Sequence, residues 1–266
     1  MSALMMRKRS SWEIQTAVIW AMLLRELKTR FGGKLVGLFW VLFEPVANVY
    51  ILLYVRGVLR TRAIGPTIEY PVYHVVAMIP YFVFRSSWFR TMEAVSGNSG
   101  LFAYRQVKPM DAMIARTILE ALIYMFVFFC VLGTLAWFGM KYLPDDPLKF
   151  ITCWFVNIAL GFGLGEVCLV ITHGKPNAKA IVRLMSMPLY LLSGILIPLK
   201  SFPPDVLFWL MLNPTANLVE MERTAYYHEY TPAHGASLTY PLMFALVLMA
   251  LGHILYRLNR LVLLRR

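Results

Sequence analysis

Apolar residues along this chain gather into runs of about twenty positions, divided by short breaks rich in charge, glycine or proline. A run of that length, wound as a helix, matches a bilayer hydrocarbon core of about 30 Å. The runs predict six transmembrane helices at 35–58, 70–87, 118–140, 150–172, 181–198 and 240–258. Two stretches depart from the pattern. Before the first run, Trp20, Leu24, Leu27 and Phe31 share one face at helical spacing, while Arg25, Lys28 and Thr29 lie elsewhere. This predicts an amphipathic helix on the cytoplasmic membrane surface within a 1–34 segment, opened by a capping box at Ser10–Glu13 and ended by Gly32-Gly33. Glu26 and Arg30 stand in pairing register on it. Before the last run, the segment 199–230 holds two apolar pieces too short to span, split at Asn213-Pro214, where Asn213 can cap a helix with proline at its first position. It predicts two half-helices that enter the membrane edge and return, as broken helices do where they are buried in protein or line a wet path. An amphipathic loop on the surface is the alternative.

Composition supports an all-α, polytopic membrane protein: 266 residues, 59% hydrophobic, mean hydropathy +0.61 and only 15% charged. The net charge of +12 is unevenly placed. Nineteen of the 26 Lys and Arg fall in 1–34, 85–116, 173–183 and 257–266, and seven in 56–62, 141–149 and 200–223. The positive-inside rule then puts both termini in the cytoplasm, with the 259–266 tail inside and the broken segment outside. Membrane topology accounts for most of the basic balance without a nucleic-acid partner. Cys130, Cys153 and Cys168 lie within apolar runs and read as small core residues.

Little in the sequence supports chemistry on this chain. Gly174-Lys175-Pro176 lacks the first glycine and the hydroxyl of a phosphate loop, so ATP hydrolysis is not expected here. The five histidines are scattered, without zinc-binding spacing. Glu44, Glu120 and Glu166 are acids within apolar runs, where a carboxylate is costly and should face protein or water. They are what a proton-coupled carrier would use. Equally, Glu44 could pair with a nearby base at the interface, and Glu120 with Arg116 one turn away. Gly161, Gly163 and Gly165 suit close helix approach and lack the strand–turn–helix setting of a dinucleotide site.

Three stretches carry a resemblance. Leu24-Arg25-Glu26-Leu27-Lys28-Thr29-Arg30-Phe31-Gly32 runs on to Gly37-Leu38-Phe39-Trp40-Val41-Leu42-Phe43-Glu44-Pro45. Phe102-Ala103-Tyr104-Arg105-Gln106-Val107-Lys108-Pro109-Met110-Asp111 continues to Arg116 and Glu120, and Leu192-Ser193-Gly194-Ile195 leads through Asn213-Pro214 to Glu220 and Arg223. With six expected spans in the same order, the chain resembles the membrane subunits of polysaccharide ABC exporters, and the Tyr104–Asp111 run is most similar to the capsule branch. The O-antigen branch shares the architecture.

The resemblance implies a role for each stretch. The helix bearing Arg25, Glu26 and Arg30 would be an interface helix. The loop 91–116 would hold a coupling helix that docks on a separate ATPase through Glu93, Asn98, Phe102, Tyr104, Arg105 and Lys108. A basic loop held by anionic headgroups is the alternative. The segment 199–230 would be an external gate, with Trp209, Asn213, Glu220, Arg223, Tyr226 and Tyr227 on the path or gate. Trp209, Tyr226 and Tyr227 could stack on sugars or simply anchor spans. Arg56, Arg60, Arg62, Arg85 and Arg90 could attract an anionic chain or snorkel to the interface. The implied assembly is a homodimer with two nucleotide-binding ATPase subunits in the bacterial inner membrane. ATP and magnesium would sit on the ATPase, with no cofactor on this chain. A lipid-linked acidic polysaccharide would be the cargo, and a periplasmic adaptor and an outer-membrane channel would be further partners.

Overall fold

The computed structural model describes residues 10–31, 35–58, 68–104 and 106–264. Within them the chain is all-α: α1 (Ser11–Phe31), α2 (Leu35–Val58), α3 (Tyr70–Met92), α4 (Pro109–Trp137), α5 (Pro147–Thr172), α6 (Pro176–Leu191), α7 (Pro204–Met211), α8 (Pro214–Tyr226) and α9 (Thr239–Leu264). Short 3₁₀ turns lie at Ser99–Ala103 and Leu199–Ser201. Proline occupies one of the first two positions of every helix from α3 to α8, where a missing N–H is harmless and the fixed φ is already helical. Side chains finish the caps. The Ser10 hydroxyl accepts from Glu13 N–H at 3.2 Å while Glu13 accepts from Ser10 N–H at 2.9 Å. Asp146 accepts from Lys149 N–H, and Asn213 from Thr215 N–H.

Helix α5 is the axis of the bundle, clasped between α3 and α9, with α8 across it and against α3. Helix α4 lies on α3, and α1 runs along α4. The glycine run in α5 makes this close packing with two neighbours. A β-carbon at Gly161 would come 2.9 Å from Ser87 Cβ, and one at Gly165 2.5 Å from Thr91 Cβ, both on α3. On the opposite face, a β-carbon at Gly163 would come 2.7 Å from Met249 N, and one at Gly252 of α9 2.6 Å from Glu166 Cβ. Backbones this near leave no room for a methyl group. Large apolar side chains point outward instead, among them Phe129, Trp137, Phe155, Leu258 and Leu261, as expected where the surrounding medium is lipid.

By length and apolarity, α4, α5 and α9 (Thr239–Leu263) qualify as membrane-crossing helices. Several boundaries differ from the apolar runs. Helix α3 continues five residues past the expected end at Ser87, because most of its length is buried against α4, α5 and α8 and tolerates polar residues. Helix α4 starts at Pro109, so 109–116, expected in a loop too polar to insert, is its first two turns. The expected 181–198 helix instead runs from Pro176 to Leu191, then yields to a turn around Gly194 at φ +79°. Helix α1 turns a second apolar side to the protein. Trp20 and Leu24 are exposed, and the residues against the bundle are Met22 and Leu23, with Leu27 partly buried. The Phe31 side chain and Gly32-Gly33 lie outside the described residues.

Candidate docking loop, cleft and gate

The α3–α4 connection begins at Glu93, whose N–H closes the last turn of α3 on Phe89 O, and ends at Lys108. It is held from beneath by side chains far away in sequence. Asn98 is buried, donates to Ala94 O at 2.9 Å and accepts from Arg25 Nη1 of α1 at 2.6 Å. The Arg116 guanidinium lies over Gly97, where a β-carbon would come 2.5 Å from Nη2. Arg116 also pairs with Glu26 at 3.1 Å. Asp111 is fully buried, accepts from Lys108 N–H at 2.9 Å and takes a further bond from Gln15. Glu120 is shared by Arg30 at 2.5 Å and Arg90 at 3.1 Å. Neither helical pairing expected from spacing forms: Glu26 and Arg30 both reach α4 rather than each other, and Glu120 turns from Arg116 to α1 and α3. Paired charges at this depth hold their positions because losing one leaves the other buried and uncompensated. Of the expected docking residues, Tyr104 and Lys108 are exposed, Phe102 and Glu93 are half-buried, and Asn98 serves the framework. Arg105 lies outside the described residues. Gln15, Asp111 and Arg116, not singled out as site residues from sequence, complete the framework.

Beside the loop, α2, α3 and α6 enclose a cleft of about 700 Å³, backed by Tyr124 of α4. Arg85, Arg90 and Arg183 face it together with Glu93, and its walls are apolar at Ile51, Leu52, Phe82 and Met187. Arg183 pairs with Glu93, and Arg85 lies over the Phe89 ring at 5.5 Å. Thus Arg85 and Arg90 share one space, and Arg183 joins them although its sequence neighbourhood gave no sign of it. The side chains of Glu44 and Arg56, and all of Arg60 and Arg62, lie outside the described residues.

At the other end of the bundle, α7 and α8 form the two short helices of the broken segment, divided at Asn213. Arg223 is fully buried; it donates to Gly194 O at 3.0 Å and Glu220 at 3.3 Å, and its guanidinium sits 3.8 Å from the Tyr73 ring centroid. Glu220 also accepts from the Tyr230 hydroxyl and Ala233 N–H. The neighbouring Glu222 accepts from Asn157 of α5 at 2.6 Å. Tyr226 donates to Lys141 O at 3.3 Å, and Tyr227 lies beneath the Lys141 ammonium. Glu220, Arg223, Tyr226 and Tyr227 are therefore interior residues that seat α8 on the bundle, whereas Trp209 on α7 is 70% exposed. In the α4–α5 turn, the Lys141 ammonium and the His228 N–H hold the Asp145 carboxyl below the usual carboxylate range.

Among the described residues, no group of three or more His, Cys, Asp and Glu side chains is placed to hold a metal. The features that stand out are a connecting loop pinned from beneath, an amphipathic cleft and a pinned pair of short helices. The ABC-2 type transporter model matches residues 17–227. The polysialic acid transport protein KpsM of Escherichia coli is 37% identical over 250 residues, covering 94% of this chain and 96% of the relative. The capsule polysaccharide export inner-membrane proteins CtrC of Neisseria meningitidis serogroup B and BexB of Haemophilus influenzae are 28% and 24% identical, covering 84% and 94% of this chain and 84% and 93% of themselves. This chain belongs to the ABC-2 type transporter membrane family.

Proposed function

We infer that this chain is the inner-membrane subunit of an ABC exporter for capsular polysaccharide. The observation that carries the reading is the near full-length similarity to KpsM, reinforced by CtrC and BexB. In this reading α2, α3, α4, α5, α6 and α9 are the six spans, both termini are cytoplasmic, and α7–α8 form a re-entrant external gate. Two copies make the channel, and two ATPase subunits, which carry the ATP and magnesium, dock on the 93–108 loop. The exposed apolar faces of α2 (Trp40, Tyr54) and α6 (Leu184, Met187), on either side of the cleft, are suited to a second copy. The cargo is a lipid-linked acidic polysaccharide, passed onward to an adaptor and an outer-membrane channel.

The polar framework supports the mechanism. Force applied to the loop by ATPase closure passes to α1 through Asn98–Arg25 and to α4 through Asp111 and Arg116, so these parts move as one piece. Of the acids a carrier would use, Glu120 is committed to two arginines and is poorly placed to carry a proton. The test is copurification of a soluble ATPase with the chain in mild detergent, and its dependence on Arg105→Ala with Lys108→Ala. Loss of the ATPase from the variant, with the variant still folded, is the expected result. An intact chain that never retains an ATPase would overturn the reading.

A further inference from the structure

We infer that the α2–α3–α6 cleft binds the phosphate headgroup of an anionic amphiphile, and that Glu93 occupies the place of that phosphate on Arg183 until the amphiphile arrives. The inference rests on the membrane-spanning reading of the chain and does not depend on which cargo is exported.

The cleft is two-sided in chemistry. Among the described residues three guanidiniums (Arg85, Arg90 and Arg183) line it with one carboxylate, Glu93, while Ile51 and Leu52 of α2, Phe82 of α3 and Met187 of α6 give it apolar wall, with Asn48, Ser86, Tyr124 and Tyr190 among them. A site of about 700 Å³ is in the ordinary range for a bound organic molecule. Guanidinium forks match phosphate oxygens in pairs, and the hydrocarbon next to the headgroup would lie along Ile51, Leu52 and Met187. Arg90 is already balanced by Glu120 behind it, so Arg85 and Arg183 are the groups with most to offer a ligand.

The Glu93–Arg183 pair gives the site its second property. Arg183 is 55% exposed and Glu93 26%, so water and ions reach the pair and it is weakly held. A phosphate competes with the Glu93 carboxylate for the same fork. Glu93 is also the first residue of the docking loop, and Lys179, one turn before Arg183 on α6, reaches Ser96 of that loop at 3.4 Å. Headgroup binding therefore releases one of the two side-chain ties between α6 and the loop among the described residues, and reports an occupied cleft to the docking surface.

The test uses the full chain purified in dodecyl maltoside, with dodecyl phosphate as probe and inorganic phosphate as the free anion, and measures Kd by thermal shift and by native mass spectrometry. Arg85→Gln and Arg183→Gln should each weaken dodecyl phosphate at least tenfold, and Glu93→Gln should tighten it several-fold by removing the competitor. Unchanged binding in the arginine variants, or weaker or unchanged binding in Glu93→Gln, overturns the inference. Inorganic phosphate binding as tightly as dodecyl phosphate overturns its amphiphile part. Native lipid particles from cells with and without the polysaccharide decide the source of a retained phosphate lipid: presence in both marks a bilayer phospholipid, and presence only with the polysaccharide marks the exported glycolipid. Because no ATPase is present, failure here is distinct from failure of the copurification test.

Discussion

Glu120 is the joint at which α1, α3 and α4 meet, and replacing it should free α1 from the bundle. Its carboxylate is 4% exposed and accepts from Arg30, itself 17% exposed, and from Arg90, 40% exposed. A hydrogen bond to a charged group contributes about 1.5–3 kcal/mol net. The Arg90 contact is discounted for solvent screening. Glu120→Ala then costs α1 about 3 kcal/mol of docking, chiefly because Arg30 is left partly buried without a partner. Glu120→Gln keeps an acceptor and loses only the charge, so about half of that is expected. The assay is thiol labelling of Leu23→Cys, a position 6% exposed against the bundle, in a chain whose native cysteines are replaced. Labelling there requires α1 to lift off, whether or not the helix stays folded at the lipid surface. At about 1.4 kcal/mol per factor of ten, Glu120→Ala should speed labelling roughly a hundredfold. Trp20→Cys, at a position 61% exposed, should label at the same rate in both chains. An unchanged rate at position 23 would refute the claim that this carboxylate anchors α1.

The helical glycines predict opposite outcomes for one substitution. Gly161→Ala drives a methyl group against the Ser87 side chain and the α3 backbone and should destabilise by at least about 1–3 kcal/mol, whereas Gly133→Ala meets nothing within 4 Å and should stabilise by up to about 1 kcal/mol through helix propensity; thermal unfolding in detergent reads both. Glu220→Gln strips a fully buried arginine of its charge partner and should cost about 3–5 kcal/mol, seen as proteolysis within 193–201, where Arg223 holds the Gly194 carbonyl. Asp145, with its pKa held down in the folded chain, adds stability that is present above the ordinary carboxylate range and lost as pH falls through the folded value. Asp145→Asn should therefore flatten the acid side of a thermal-midpoint profile from about pH 5 downward, and leave its slope above about pH 5 unchanged.

What could be read from the sequence is what depends on near neighbours. Ser10 and Glu13 cap α1 as their spacing requires, Asn213 and Pro214 start α8, and Gly161 to Gly165 mark close packing, because each is settled within one or two turns. The all-α class follows in the same way from long apolar runs that leave backbone groups no partner but their own helix. Tertiary structure decided where the charges go. Arg30 and Glu120 are 90 positions apart, as are Arg183 and Glu93, and no periodicity links them. Local spacing offered Glu26–Arg30 and Arg116–Glu120 instead, pairs that burial against α4 overrides, since a carboxylate in the interior takes whichever guanidinium the fold brings to it. The same holds for α1, which has apolar residues on more than one side. Only its contact with α4 selects Met22 and Leu23 as the inner face and leaves Trp20 and Leu24 outside. It also holds for Arg223, for which the sequence left burial in protein and a wet path both open, and whose neighbours Tyr73, Gly194 and Glu220 enclose it.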